Sequence, residues 1–405
     1  MSEPTVDSRV RVVVLGAGYA GLTCFLELQD RLARGHDLVL VSRDRHHWFT
    51  TELHTYAAGH DADAVRIPLR RLVRPPGRLI IDHVSALRPA ARQVELKLSG
   101  TLAYDLLVFA LGSEPEYFGL PGIPRHALTI GSPPAAREVR ERVRALAARE
   151  GPPGHVLVVG GGLTGVELAA ELADEYPGRL RVTILEAAPE IMAGFPPDLV
   201  QVARRILEGK GIRILAGSPI VTADASCVHL QGGGEVPYDL LVWAGGVRGH
   251  SLLARAGLAL GGRGRARVDA FLRSVSDDRI YVIGDSAAFA DPASGREIPP
   301  TGQAAVQMGR AAAPAPAGRT AGTALRLPHA GAVRLPGAPR RGGRAGRGAH
   351  GGPARHGRQA LRRGAPRLGG GRRRDAPGAA ARGRTGGLPA GAAAAHLHTA
   401  APAGQ

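Results

Sequence analysis

Two glycine-rich hexapeptides could do chemistry by virtue of residue type and spacing: Gly16-Ala17-Gly18-Tyr19-Ala20-Gly21 and Gly160-Gly161-Gly162-Leu163-Thr164-Gly165. In each, the first glycine permits a tight strand-to-helix turn and the second lets backbone approach a pyrophosphate. The third lets the helix pack closely on the strand. Phosphate oxygens then meet free N–H groups at a helix N-terminus, where the helix dipole also favours negative charge. Tyr19, Ala20 and Leu163, inside the turns, join the glycines as candidate ligand contacts. Two such turns imply two dinucleotides, and two dinucleotides held by one protein usually exchange electrons.

Acidic residues accompany both turns. Glu186 closes the expected second strand of the second unit, where a carboxylate accepts hydrogen bonds from an adenosine ribose and repels a 2′-phosphate. That favours NADH over NADPH. The matching position in the first unit is Ser42, followed by Arg43, a pair that taken alone suits a 2′-phosphate. Asp285, behind the small Gly284 at the end of a buried strand, is placed to bind a ribityl or pyrophosphate-side hydroxyl. Capping of the next turn is its alternative.

The elements that must position these residues follow from periodicity. Residues 11–15 and 38–41 read as strands around a helix at 21–34, and 79–98 alternates as a β-ribbon would. Tyr104-Asp105-Leu106-Leu107-Val108-Phe109-Ala110-Leu111-Gly112 is echoed by Tyr238-Asp239-Leu240-Leu241-Val242-Trp243-Ala244-Gly245-Gly246. Each reads as a turn, a buried strand and small residues where the strand end meets a ligand, which makes Ala110, Gly112 and Gly245 candidate contacts. A Pro- and Gly-rich crossover at 113–134 leads to a charged helix at 135–150. Strands at 155–159 and 181–185 then flank a helix at 164–175. A last strand at 279–283 precedes a helix starting near Gly302. The expected fold class is α/β with two Rossmann-like dinucleotide-binding domains. One spans 9–115 plus 275–309 and is interrupted by the other at 120–270.

Composition separates the remainder. The chain of 405 residues carries a formal charge of +17, yet 18 arginines and a single acid, Asp375, fall from Arg310 onward. Residues 1–309 are therefore neutral overall, which disfavours a nucleic-acid role for the α/β part. About four in five residues of 310–405 are Ala, Gly, Pro or Arg, too few apolar side chains to offset chain entropy, so this tail is expected to be disordered. The codons of those four residues all begin with two G/C bases, so the composition fits a GC-rich gene read out of frame better than a natural basic tail. Cys24 and Cys227 are the only cysteines. No Cys-x-x-Cys spacing exists for a redox disulfide or zinc site, and no metal is expected. Neither a signal peptide nor a membrane-spanning run is visible, which implies a cytoplasmic location.

Four segments carry a resemblance to a known family: Val14–Leu22; His47-Trp48-Phe49-Thr50-Thr51-Glu52-Leu53-His54; Val159–Leu168; and Pro299-Pro300-Thr301-Gly302-Gln303-Ala304-Ala305-Val306-Gln307. Over residues 9–309 the chain resembles the pyridine nucleotide–disulfide oxidoreductase superfamily, and within it the type II NADH:quinone oxidoreductases. The resemblance implies FAD in the first unit, held by Gly16, Gly18, Gly21 and Asp285, with Thr51 and Val84 among the further contacts. It implies NADH in the second, held by Gly160, Gly162, Gly165 and Glu186. Disulfide-reducing members place cysteines soon after strand two, where this chain has 45–51 without sulfur, so disulfide and sulfide substrates are disfavoured. Gln303 and Gln307, four apart on one helix face, are implied to contact flavin and quinone oxygens, although Gly302 stands where Ala is usual. Glu167 is implied to serve proton transfer or nicotinamide placement, with a favourable acid in a helix's first turn as its alternative. His46, His47 and His54 read as loop or packing residues. The implied partners are a quinone and the inner face of the cell membrane, with a homodimer left open. Two other readings remain: a soluble reductase of an iron–sulfur protein or small acceptor, and a flavoprotein whose basic tail binds nucleic acid.

Overall fold

The computed structural model describes residues 10–32, 36–291 and 295–313. Eight helices are present among them: α1 Tyr19–Arg31, α2 Leu53–Ala58, α3 Ile123–His126, α4 Pro133–Ala147, α5 Leu163–Glu175, α6 Pro197–Gly209, α7 Leu252–Arg255 and α8 Gly302–Ala312.

Val12, Val13, Val14 and Leu15 are fully buried on the strand Arg11–Leu15, as expected for a central parallel strand covered on both faces. Asp37–Ser42 and Leu106–Phe109 flank it in parallel. Gly77–Ile81 adds beyond the first of these and Asp277–Val282 beyond the second, both parallel. Arg273–Ser274 closes that edge as an antiparallel hairpin arm, giving six strands. The second sheet repeats the scheme with five parallel strands in the order Ala127–Thr129, Leu240–Trp243, Gly154–Val159, Leu180–Leu185, Arg213–Leu215.

Each sheet carries the same accessory, an antiparallel three-stranded ribbon just before its return strand. The first is Val84–Arg88, Gln93–Leu96 and Gly100–Ala103; the second is Ile220–Ala223, Cys227–Leu230 and Glu235–Pro237. The ribbon expected at 79–98 is thus corrected at both ends. Leu79-Ile80-Ile81 is an unbroken apolar run, suited to the parallel sheet rather than to an alternating ribbon, and it pairs with Asp37–Ser42. After each return strand the chain enters a short link, and the two links pair with each other: Ser113–Pro115 runs antiparallel to Val247–Gly249.

Helix α8 runs on through Arg310, Ala311 and Ala312, where Ala312 is fully buried in the core of the first sheet. The remainder of the expected tail, 314–405, lies outside the described residues.

Candidate functional site

The two glycine turns have matching geometry. Gly16 and Gly160 both take positive φ, +99° and +111°. A side chain at Gly16 would strike the Ala110 carbonyl, and one at Gly160 would lie 2.5 Å from the Ala244 carbonyl. Gly21 and Gly165 bring their helices against the Gly16 and Gly160 carbonyls so closely that a methyl group has no room. The middle glycines differ: around Gly18 and Gly162 no protein atom lies within 4 Å of a side-chain position. Both are helix N-caps without a side-chain hydrogen bond. Open space over first-turn N–H groups is the berth a pyrophosphate needs, so each turn fits a dinucleotide.

Around the first turn, His47 is buried and its Nδ1 lies 2.8 Å from the Ala17 carbonyl. Burial pushes its pKa down, so the neutral ring donates Nδ1–H and braces the turn from below. Gly284, at φ +69°, would place a methyl 3.0 Å from the Ala20 side chain. Asp285 accepts a 3.0 Å hydrogen bond from the Ser113 hydroxyl, across to the link strand rather than back to its own turn. Burial raises its carboxyl pKa despite that bond. Ser286 donates to the Gly112 carbonyl and ties the same corner. Ser42 is buried with its hydroxyl donating to the Asp44 carbonyl at 2.8 Å, while Arg43 is exposed. Val84 begins the ribbon, half-buried against the first core.

Around the second turn, Glu186 follows the strand Leu180–Leu185 and is bound to the loop. Its Oε2 accepts from Gly161 N at 2.5 Å and its Oε1 from Ala188 N at 2.7 Å. Leu163 is half-buried at the start of α5, and Gly245 abuts the Trp243 ring, 2.6 Å from a side-chain position.

Residues 50–54 join the four motif segments. Tyr19 and Thr51 hydroxyls are 2.8 Å apart. A methyl at Gly302, at the start of α8, would sit 3.2 Å from Thr51 and 3.6 Å from the Tyr19 ring. The missing Ala methyl at 302 therefore leaves Thr51 and Tyr19 uncrowded. Farther along α8, Gly309 packs on α1, 2.5 Å from the Ala20 carbonyl to a would-be methyl. Ala304, Ala305, Met308 and Ala312 are buried, whereas Gln303 is exposed and Gln307 half-buried.

From the same segment, α2 packs on α4 and α5 of the second sheet. His54 Nδ1 lies 3.7 Å from Glu167 Oε2, with side-chain exposures of 8% and 11%. Glu167 is the fifth residue of α5, beyond the first turn, so stabilisation by the helix dipole does not account for it. Burial, followed by the negative charges of Glu52 and Glu171, pushes its pKa up to about 7. His47 and His54 are both buried. Their particular contacts depend on the tertiary fold, and the only local signal was their place in the segment 47–54.

Cys24 is buried in α1 with its thiol pushed up to about 12 by burial and by Glu27. Cys227 lies on the second ribbon. Neither belongs to the segment that joins the motifs.

Twin sheets with parallel cores, each with a glycine turn and an open phosphate berth at the end of a central strand, define a protein that binds two dinucleotides. Comparison with known proteins agrees. A family model described as pyridine nucleotide-disulphide oxidoreductase matches residues 10–309. The Staphylococcus aureus (strain NCTC 8325) type II NADH:quinone oxidoreductase is 31% identical over 330 residues, covering 76% of this chain and 82% of the relative. Among solved structures, NDH2 from Plasmodium falciparum in complex with NADH superposes with a TM-score of 0.68 at 17% identity, covering 76% of this chain and 83% of that one. A ferredoxin reductase from Rhodopseudomonas palustris gives 0.66 at 25% identity, covering 78% of each chain. The chain belongs to the pyridine nucleotide-disulphide oxidoreductase family, in its type II NADH:quinone oxidoreductase branch. It is an oxidoreductase.

Proposed function

We propose that this protein oxidises NADH and passes two electrons to a membrane quinone. The observation that carries the reading is the meeting of the four motif segments at Thr50–His54, which ties the first glycine turn, α5 and α8 to one short stretch of chain. FAD belongs to the first unit, 9–115 with 275–309, and NADH to the second, 120–270. When bound, FAD supplies an acceptor for the nicotinamide hydride and a two-electron donor for the quinone.

The chain's own residues bind, orient and manage protons. Gly16, Gly18, Tyr19, Ala20 and Gly21 present backbone to one pyrophosphate, and Gly160, Gly162, Leu163 and Gly165 to the other. Ser42, Arg43, Thr51, Val84, Ala110, Gly112, Gly284 and Asp285 line the FAD side. Glu186 and Gly245 serve the NADH side. With both oxygens already accepting from N–H groups, Glu186 is held as a rigid ribose acceptor that rejects a 2′-phosphate. Glu167, titrating near neutrality, can hold a proton or release it during turnover. Gln303 and Gln307 offer amide groups from the side of α8 left outside the core.

Among the described residues no helix is long and apolar enough to cross a membrane. The reading is tested by supplying NADH with either a short-chain quinone or an oxidised ferredoxin to the flavin-loaded protein. Faster NADH oxidation with quinone supports it. Turnover with ferredoxin alone assigns the protein instead to the reductases of iron–sulfur partners, the acceptor named for its Rhodopseudomonas structural neighbour.

A further inference from the structure

The second ribbon gathers a side-chain cluster that the proposed redox site does not use. Along the strand Cys227–Leu230, side chains alternate, so Cys227 and His229 share one face while Val228 is fully buried on the other. Register places Glu235 directly opposite His229, and its neighbour Val236 is buried opposite Val228. Asp224, in the turn leading into the strand, completes the outer face. Its Oδ1 accepts from Ser226 N at 2.8 Å, Cys227 N at 2.9 Å and the Ser226 hydroxyl at 3.1 Å. Tyr238 donates its hydroxyl to the Asp224 carbonyl and anchors the same turn. The carboxylate is therefore fixed, with Oδ2 left directed at His229 Nε2, 3.0 Å away.

We infer that Asp224 Oδ2, Cys227 Sγ and His229 Nε2 form a binding site for a divalent transition metal, best suited to Zn²⁺. The candidate ligand atoms all lie within 4.8 Å of one another, close enough to converge on one ion after small side-chain rotations. A thiolate, an imidazole and a carboxylate form a donor set that zinc accepts, with a fourth tetrahedral position open to water. The other imidazole nitrogen is also provided for. His229 Nδ1 lies 3.2 Å from Glu235 Oε1, the carboxylate–histidine arrangement that fixes the tautomer of a metal-binding ring.

Zn²⁺ binding would displace the Cys227 thiol proton and engage His229 Nε2, while Nδ1–H stays on Glu235. The site would clip the turn at 224–226 to the ribbon, and its chemistry is independent of the two nucleotide turns.

Having only two cysteines makes the test direct, because Cys24 is fully buried and Cys227 is partly exposed. Untagged full-length protein is alkylated with and without an equimolar amount of Zn²⁺, and Co²⁺ is then titrated in its place. Zinc is expected to slow modification of Cys227 by at least about tenfold, and cobalt to give an intense thiolate charge-transfer band. Loss of an outer partner weakens metal sites by about 10–100-fold, so His229→Gln, which removes a ligand, should abolish protection at equimolar zinc. Unchanged alkylation with zinc overturns the proposal, as does equal protection in His229→Gln or a cobalt spectrum lacking the thiolate band. Should His229→Gln fold poorly, Asp224→Asn serves the same comparison.

Discussion

His54 on α2 and Glu167 on α5 face each other at 3.7 Å across the contact between the two nucleotide-binding units, both nearly buried. The two side chains are close neighbours within this contact. The carboxylate pKa is raised to about 7 by its burial, then by Glu52 and Glu171. A carboxyl poised near neutrality at this contact can change its protonation state around pH 7.

That shift has a consequence for stability with a definite sign. Because the folded-state pKa is raised, the native protein binds this proton more tightly than the unfolded chain does. The associated stabilisation is complete below the unfolded pKa and is lost as pH rises through about 7. A shift from 4.5 to about 7 corresponds to roughly 3 kcal/mol. Glu167→Gln should therefore remove this contribution, which is expected to be lost between about pH 4.5 and 7.5. Chemical denaturation of both proteins across that range checks it; parallel curves would show that Glu167 does not titrate there.

Glu186 gives a test of cofactor choice. Its two accepted hydrogen bonds hold the carboxylate beside the glycine turn. Charge-assisted hydrogen bonds are worth about 1.5–3 kcal/mol, so Glu186→Arg should lower the preference for NADH over NADPH by about 10- to 100-fold. The ratio of kcat/KM values for the two cofactors reports it. An unchanged ratio removes Glu186 from its assigned role.

Gly309 tests the seating of α8. A methyl there would lie 2.5 Å from the Ala20 carbonyl and 2.9 Å from Thr23 Cβ, with backbone on one side and no flexible neighbour to yield. Gly309→Ala should cost about 1–3 kcal/mol by overpacking. Since α1 begins at the first glycine turn, flavin retention should fall with it. Thermal melting and flavin content after gel filtration measure the two effects; a wild-type melt would mean that α8 packs elsewhere.

Much of this molecule could be read from residue order because local and tertiary demands coincide. The glycine turns are preceded by β-branched strands and followed by apolar helices, and each glycine meets the constraint its position announces. The ribbon boundaries were misplaced because Leu79-Ile80-Ile81 satisfies either a ribbon or a buried edge strand until its pairing is known. The pairing of Ser113–Pro115 with Val247–Gly249 was invisible, since three-residue strands rich in Gly and Pro carry no period. His47 lies beneath Ala17 and His54 beside Glu167, yet these partners stand 30 or more positions away and no local pattern names them.

The account depends on an isoalloxazine in the first unit being reducible by NADH held in the second. An anaerobic titration followed by absorbance tests this most directly. The account predicts a yellow protein whose flavin bands bleach with about one equivalent of NADH, as two-electron hydride transfer requires. A folded preparation that takes up no FAD, or whose bound flavin stays oxidised in excess NADH, would contradict it.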